Sequence, residues 1–169
     1  MEQKKEMVIG EALNKIKDME AEKQRLTGLL SSSVFVLPDN PEKMPSPTAL
    51  LAQISTIMYD IATLKKKLVK TNSLLCVDVN GKSYTLFELM KTIEIKNNQQ
   101  SALSAIATSL TSRSDRFLRQ GYNETPLQLQ VNTDMTAEQF RELAKTAKDE
   151  YRQLQQALTK ANWTITLME

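Results

Sequence analysis

Histidine is absent from the 169 residues, and cysteine occurs once, as Cys76. These absences exclude a Ser-His-Asp or Cys-His nucleophile system, a zinc site built from His and Cys, and any disulfide within the chain. Carboxylates, lysine, tyrosine or a carboxylate-bound magnesium are what remains for catalysis, and no motif announces any of them. No catalytic residue, metal site or cofactor is therefore expected, and the chain reads as a non-enzyme. Glycine is scarce too: there are 4, against the roughly 12 that average usage would supply. That shortage favours helix.

An excess of charge of one sign is also missing, since Lys+Arg 22 stand against Asp+Glu 20 for a formal net charge of +2. Nothing global then attracts a nucleic-acid polymer or a membrane surface, and any anion site has to be local. The polar start Met1-Glu2-Gln3-Lys4-Lys5-Glu6 carries no signal peptide, and no later run approaches the ~20 apolar residues of a membrane span. The expected location is the cytoplasm. Cys76, flanked by Leu75 and Val77, reads as a small buried hydrophobe in a reducing compartment.

What is present is helical periodicity. From about Lys5 to Leu30, the residues Ile9, Leu13, Ile16, Met19, Leu26 and Leu30 fall at three- and four-residue steps, the pattern of an amphipathic helix. Residues 31–47 form a proline-rich loop with Pro38, Pro41, Pro45 and Pro47, in which Val34-Phe35-Val36 is a candidate short strand. Leu50, Ile54, Ile57, Ile61, Leu64 and Leu68 then step as a heptad seam, so a second helix should pack along the first as an antiparallel, coiled-coil-like hairpin. Asn80-Gly81 between apolar-rich arms predicts a β-hairpin. Thr85 with Glu88, and Thr136 with Gln139, read as capping boxes opening a third and a fourth helix.

The third helix is carried by Leu86, Leu89, Met90, Ile93, Leu103, Ile106 and Leu110, and residues 111–126 read as an arginine-rich loop. Leu127 to Val131 alternates as a strand. Phe140, Leu143, Ala147, Tyr151, Leu154, Leu158 and Ala161 line the inner face of the fourth helix, and Trp163, Ile165 and Leu167 alternate as a terminal strand, with Trp163 as a core plug. Met19, Met58 and Met90 sit on apolar stripes and read as core. The fold class is mostly α with minor β: long antiparallel amphipathic helices plus short strands, as a single domain over residues 1–169.

Several of these pieces together look familiar. Glu11-Ala12-Leu13 near the start of the first helix, Thr71-Asn72 at the end of the second, the Leu86 helix after a Gly-containing turn, Arg113-Ser114 ahead of the strand at Leu127, and Asn162-Trp163-Thr164 resemble the septicolysin-like family of small bacterial and phage proteins. The resemblance spans nearly the whole chain, apart from the proline-rich segment and the stretch from Arg116 to Thr125. It implies a compact helical protein that self-associates. A pore-forming cytolysin, which the family name suggests, would need a long alternating membrane hairpin, and none is present.

The candidate ligand site is the segment bearing Arg113, Arg116 and Arg119 with Ser112, Ser114 and Tyr122. Guanidinium forks match phosphate or carboxylate oxygens, hydroxyls add donors, and an aromatic ring stacks on a base. Lys66 and Lys70, within the Lys65-Lys66-Lys67 and Lys70 cluster, would join it if assembly brought the two together; otherwise they complement the end of their helix. Glu138 and Glu142 share a helix face but read as solvated. The function expected is that of a homo-oligomer binding a small anionic, nucleotide-like ligand, similar in type to phage anti-defence proteins that sequester nucleotide signals. The alternative is a structural or protein-interaction module.

Overall fold

The structure, a computed structural model, describes residues 6–33, 46–120 and 134–169, with the side chains of 113–120 outside that set. The elements run α1 (Ile9–Ser33), α2 (Pro47–Leu74), β1 (Cys76–Val79), β2 (Lys82–Thr85), α3 (Leu86–Gln120) and α4 (Ala137–Thr164). The protein is thus mostly α with minor β. Val34-Phe35-Val36 and the strand expected at Leu127 to Val131 lie outside the described residues. Composition alone assigns one domain; the contacts gather in two compact units, Met1–Val77 with Thr159–Glu169, and Asp78–Leu158.

In the first unit α1 and α2 form the antiparallel hairpin that the heptad seam predicts. Leu50, Ile61 and Leu68 are buried along α2, and Ile9, Ala12, Ile16 and Leu26 along α1. Lys65 donates to Glu20 across the pair at 2.7 Å, and that bond holds the Glu20 carboxyl below its ordinary range. Pro47 opens α2, where its missing N–H leaves no intrahelical bond unmade.

The unit is closed by its two distant segments. The N–H of Ile9 donates to the carbonyl of Ile165 at 3.0 Å, the N–H of Leu167 donates to the carbonyl of Met7 at 2.8 Å, and Val8 bridges Thr166 in antiparallel fashion. Thr71, fully buried on α2, accepts the N–H of Met168 at 3.0 Å and donates to the carbonyl of Lys67 at 2.8 Å. The terminal strand expected at Trp163 to Leu167 is corrected accordingly. Helix α4 runs through Thr164, and a single bridge at Thr166 is what remains of the strand.

Trp163 is no core plug. It is 55% exposed, with its indole laid against Gly10, where glycine leaves room for the ring to meet the α1 backbone.

Between Cys76 and Thr85 the Asn-Gly hairpin forms as expected. Asn80 and Gly81 both take positive φ, 53° and 78°, the pairing a type I′ turn requires. The strand pleat explains a correction. Val77 and Val79 turn inward along β1, which leaves Cys76 on the outer face with Asp78, so the thiol is exposed rather than buried. A Cβ on residue 81 would touch nothing within 4 Å, so Gly81→Ala meets only the strain of left-handed backbone. Urea denaturation should show that change costing about 1–2 kcal/mol.

Thr85 and Glu88 form the capping box of α3 in full. The Thr85 N–H and hydroxyl donate to the Glu88 carboxylate at 2.8 and 3.0 Å, and the Glu88 N–H returns to the Thr85 hydroxyl at 3.1 Å. Led by the backbone bond, they hold the Glu88 carboxyl below its ordinary range. A value lower in the folded than in the unfolded chain means that this contribution is present above the unfolded value, about 4.3. It is lost as pH falls through the folded value. Glu88→Gln should therefore flatten the dependence of stability on pH below about 4.3 while changing it little in slope near neutrality, as read by denaturation at stepped pH.

Helix α3 overturns one boundary. It is continuous to Gln120, so residues 111–120 of the expected arginine-rich loop are helical. No glycine or proline interrupts the 35 residues from Leu86 to Gln120, and polar sequence alone does not end a helix. Residues 31–33, placed in the proline-rich loop, likewise belong to α1. Met58 and Met90, read as core, are exposed, as are Leu13, Ile106 and Leu143. Met19 is half-buried.

Candidate functional site

In the second unit α3 and α4 run antiparallel: Lys96 pairs with Glu150 near one end, and the Arg141 guanidinium donates to the Thr111 hydroxyl at 2.8 Å near the other. Where they face each other, Ala107 and Ala144 are both buried. Between the two helices lies a cleft of about 310 Å³, lined by Gln100, Ser104, Ala107 and Thr108 on α3 and by Arg141, Ala144, Lys145 and Lys148 on α4. Its size is at the lower end of the range for small-molecule sites, roughly 300–1,000 Å³.

The three cations owe their alignment to helix periodicity. Positions 141, 145 and 148 are separated by four and three residues, so they fall on one face of α4. Arg141 is braced, with one nitrogen on the Glu138 carboxylate at 2.8 Å and another on Thr111. Lys145 and Lys148 are exposed, and among the described residues no carboxylate pairs with them. The Thr108 hydroxyl donates to the Ser104 carbonyl at 2.9 Å, whereas the Ser104 hydroxyl and the Gln100 amide face the cleft with no hydrogen bond among the described residues. The arrangement is a positively charged wall opposite neutral donors, and it suits an anion.

The residues singled out from sequence fall as follows. Arg113, Arg116 and Arg119 stand at three-residue intervals on the last turns of α3, with Ser114 among them, and their side chains are outside the described set, while Tyr122 lies outside the described residues altogether. The Ser112 hydroxyl is turned back onto the Ser109 carbonyl at 3.3 Å. Lys66 and Lys70 belong to the first unit, where Lys66 is exposed and Lys70 donates to the carbonyl of Glu169. Glu138, one of the two paired carboxylates, is engaged by Arg141, and among the described residues no cluster of three metal-ligating side chains occurs. The cleft cations Arg141, Lys145 and Lys148 are not among the residues that the sequence singles out; their spacing of four and three puts them on one face of α4, a pattern that a solvated face shares.

A second cleft, about 720 Å³, lies in the first unit beside the closing segments. Its walls are mostly apolar, from Met7, Leu64, Leu75 and Leu167, with Lys67 as its cation and Glu6 and Glu169 as acids. That balance makes it a poorer anion site than the one between α3 and α4.

These features define a mostly α protein, two helical pairs with one small β-hairpin, carrying a basic cleft between two of its helices. The chain belongs to a family of unknown function (DUF6847), whose model matches residues 10–167. The fold is similar to that in the crystal structure of a functionally unknown conserved protein from Corynebacterium diphtheriae. The two share 24% sequence identity and a TM-score of 0.71, over 96% of this chain and 99% of that one. No curated protein matches the chain.

Proposed function

We propose that the protein is a non-enzymatic, self-associating binder of a small anionic ligand, nucleotide-derived in class, which it holds rather than transforms. The observation that carries this reading is the cleft in which Arg141, Lys145 and Lys148 face Gln100 and Ser104. A chain without histidine has little means of general acid-base work near neutral pH, whereas holding a phosphate needs only cations and donors already in place. Arg113, Arg116 and Arg119 follow on the same helix as Gln100 and Ser104, with their side chains outside the described set. Sequestration of a nucleotide signal in a host cytoplasm is the biological form of this reading.

Self-association is supported by a second apolar stripe on α2. Leu51, Met58 and Val69 are exposed, and their spacing of seven and eleven residues places them on one face, away from the seam that packs on α1. No helix among the described residues is long and apolar enough to cross a membrane. Static light scattering at micromolar concentration should return a mass above that of one chain, and a monomeric mass would remove this part of the reading.

Binding is tested by thermal denaturation with a panel of cyclic, linear and ADP-ribose-type nucleotides. A ligand present at a hundredfold excess over its Kd should stabilise the fold by about 2.7 kcal/mol, and Lys148→Ala should weaken that effect. A panel that leaves melting unmoved would sink the proposal. Recovery of unaltered ligand after denaturation separates holding from turnover.

A further inference from the structure

The cleft between α3 and α4 also carries information about which part of a ligand it reads. Resting on the anion-binding reading above, we infer that it recognises a short run of linked phosphates, a pyrophosphate or triphosphate group, and does not read a base. The cations are arranged in a row: from Arg141 to Lys148 the backbone of α4 advances by about 10 Å at 1.5 Å per residue. A row of charges matches anionic groups spaced along a chain, whereas a single tetrahedral anion is better held by donors converging from several sides.

The side chains are of the matching kind. Lys145 and Lys148 carry compact point charges on flexible stems, free of carboxylate partners among the described residues, and such ammonium groups follow phosphate oxygens without demanding one planar geometry. Arg141 is different. Its guanidinium is already fixed by Glu138 and Thr111, so it marks one end of the row as a positioned fork. Across the cleft, Ser104 and Gln100 supply neutral donors.

What lines the remainder argues against base recognition. None of the described lining side chains is aromatic, and the apolar ones are Ala107 and Ala144. A nucleobase placed against the described lining would find no ring to stack on, and stacking is the contribution that makes base contacts worthwhile, about 1–3 kcal/mol each. The selectivity available is therefore for charge count along the ligand.

Isothermal titration of the full chain with adenosine, AMP, ADP, pyrophosphate and tripolyphosphate tests this at one fixed salt concentration. Affinity should rise with the number of linked phosphates, pyrophosphate should bind within about tenfold of ADP, and adenosine should not bind. Lys145→Ala and Lys148→Ala should each lose about tenfold for pyrophosphate with unchanged circular dichroism, since both side chains are exposed. Nucleotides that bind while pyrophosphate and tripolyphosphate do not would overturn the inference and leave the anion-binding proposal standing. Binding that is indifferent to both lysine variants would overturn the assignment to this cleft, and a full panel without binding would overturn both readings together.

Discussion

Replacing Leu89 with alanine is expected to lower the unfolding free energy by about 2–5 kcal/mol. Leu89 is wholly buried, as is Leu86 three residues before it, and α3 packs against β2 in this part of the chain. Truncation removes the transfer free energy of the lost carbons and leaves a cavity, because the hairpin and the capped first turn of α3 fix the surrounding backbone and limit its collapse. Leu143 is the control. It is 45% exposed, so Leu143→Ala should change stability by less than about 1 kcal/mol although the chemical change is the same. Urea denaturation of both variants checks the pair, and equal losses at the two positions would contradict the burial described for α3 and α4.

Gly10→Val is the second change with a large expected effect. A Cβ at position 10 would lie 2.9 Å from Cδ2 and Cε3 of Trp163 and 3.0 Å from Cζ3, closer than packed carbon atoms approach. The ring has to swing away from α1, and the overpacking should cost about 1–3 kcal/mol. Valine's extra methyls increase the clash, whereas Gly10→Ala gains back part of glycine's helix penalty, up to about 1 kcal/mol. Trp163→Ala removes the obstacle, so the double variant should recover most of the loss from Gly10→Val. A coupling energy near zero in that cycle would mean that the indole does not set the requirement for glycine.

Features fixed by a few neighbouring residues were the legible ones. The Asn80-Gly81 turn and the Thr85/Glu88 and Thr136/Gln139 boxes form as their residues predict, because each is closed within four residues. The α2 seam was legible too, since six apolar residues in heptad register have one way to be covered together. The end of α3 is not legible in the polarity of Thr111 to Gln120, because a helix without a breaker before Gly121 runs on through polar sequence. The exposure of Trp163 and Cys76 is not legible for another reason: it depends on tertiary placement, against Gly10 for the indole and on the outer face of β1 for the thiol.

The cleft shows the same division. The row Arg141, Lys145 and Lys148 is written in α4 alone, but on a charged helix such a row is indistinguishable from a solvated face. What turns it into a wall is the cleft it shares with α3, where Ala107, Gln100 and Ser104 line the other side. That cleft joins residues far apart in the chain, and no periodicity within one helix contains it.

The closure of the first unit has a bearing on how the molecule is born. Its residues come from both ends of the chain, Met1–Val77 and Thr159–Glu169, while the second unit is the unbroken stretch Asp78–Leu158. On the ribosome, where chains emerge at about 5–20 residues per second, α1 and α2 appear well before the segment that bonds to Met7, Ile9 and Thr71. The earliest hairpin therefore waits, with the buried hydroxyl of Thr71 still uncovered, until the later unit has been made in full. The first-made helices are thus sealed by a segment made after them.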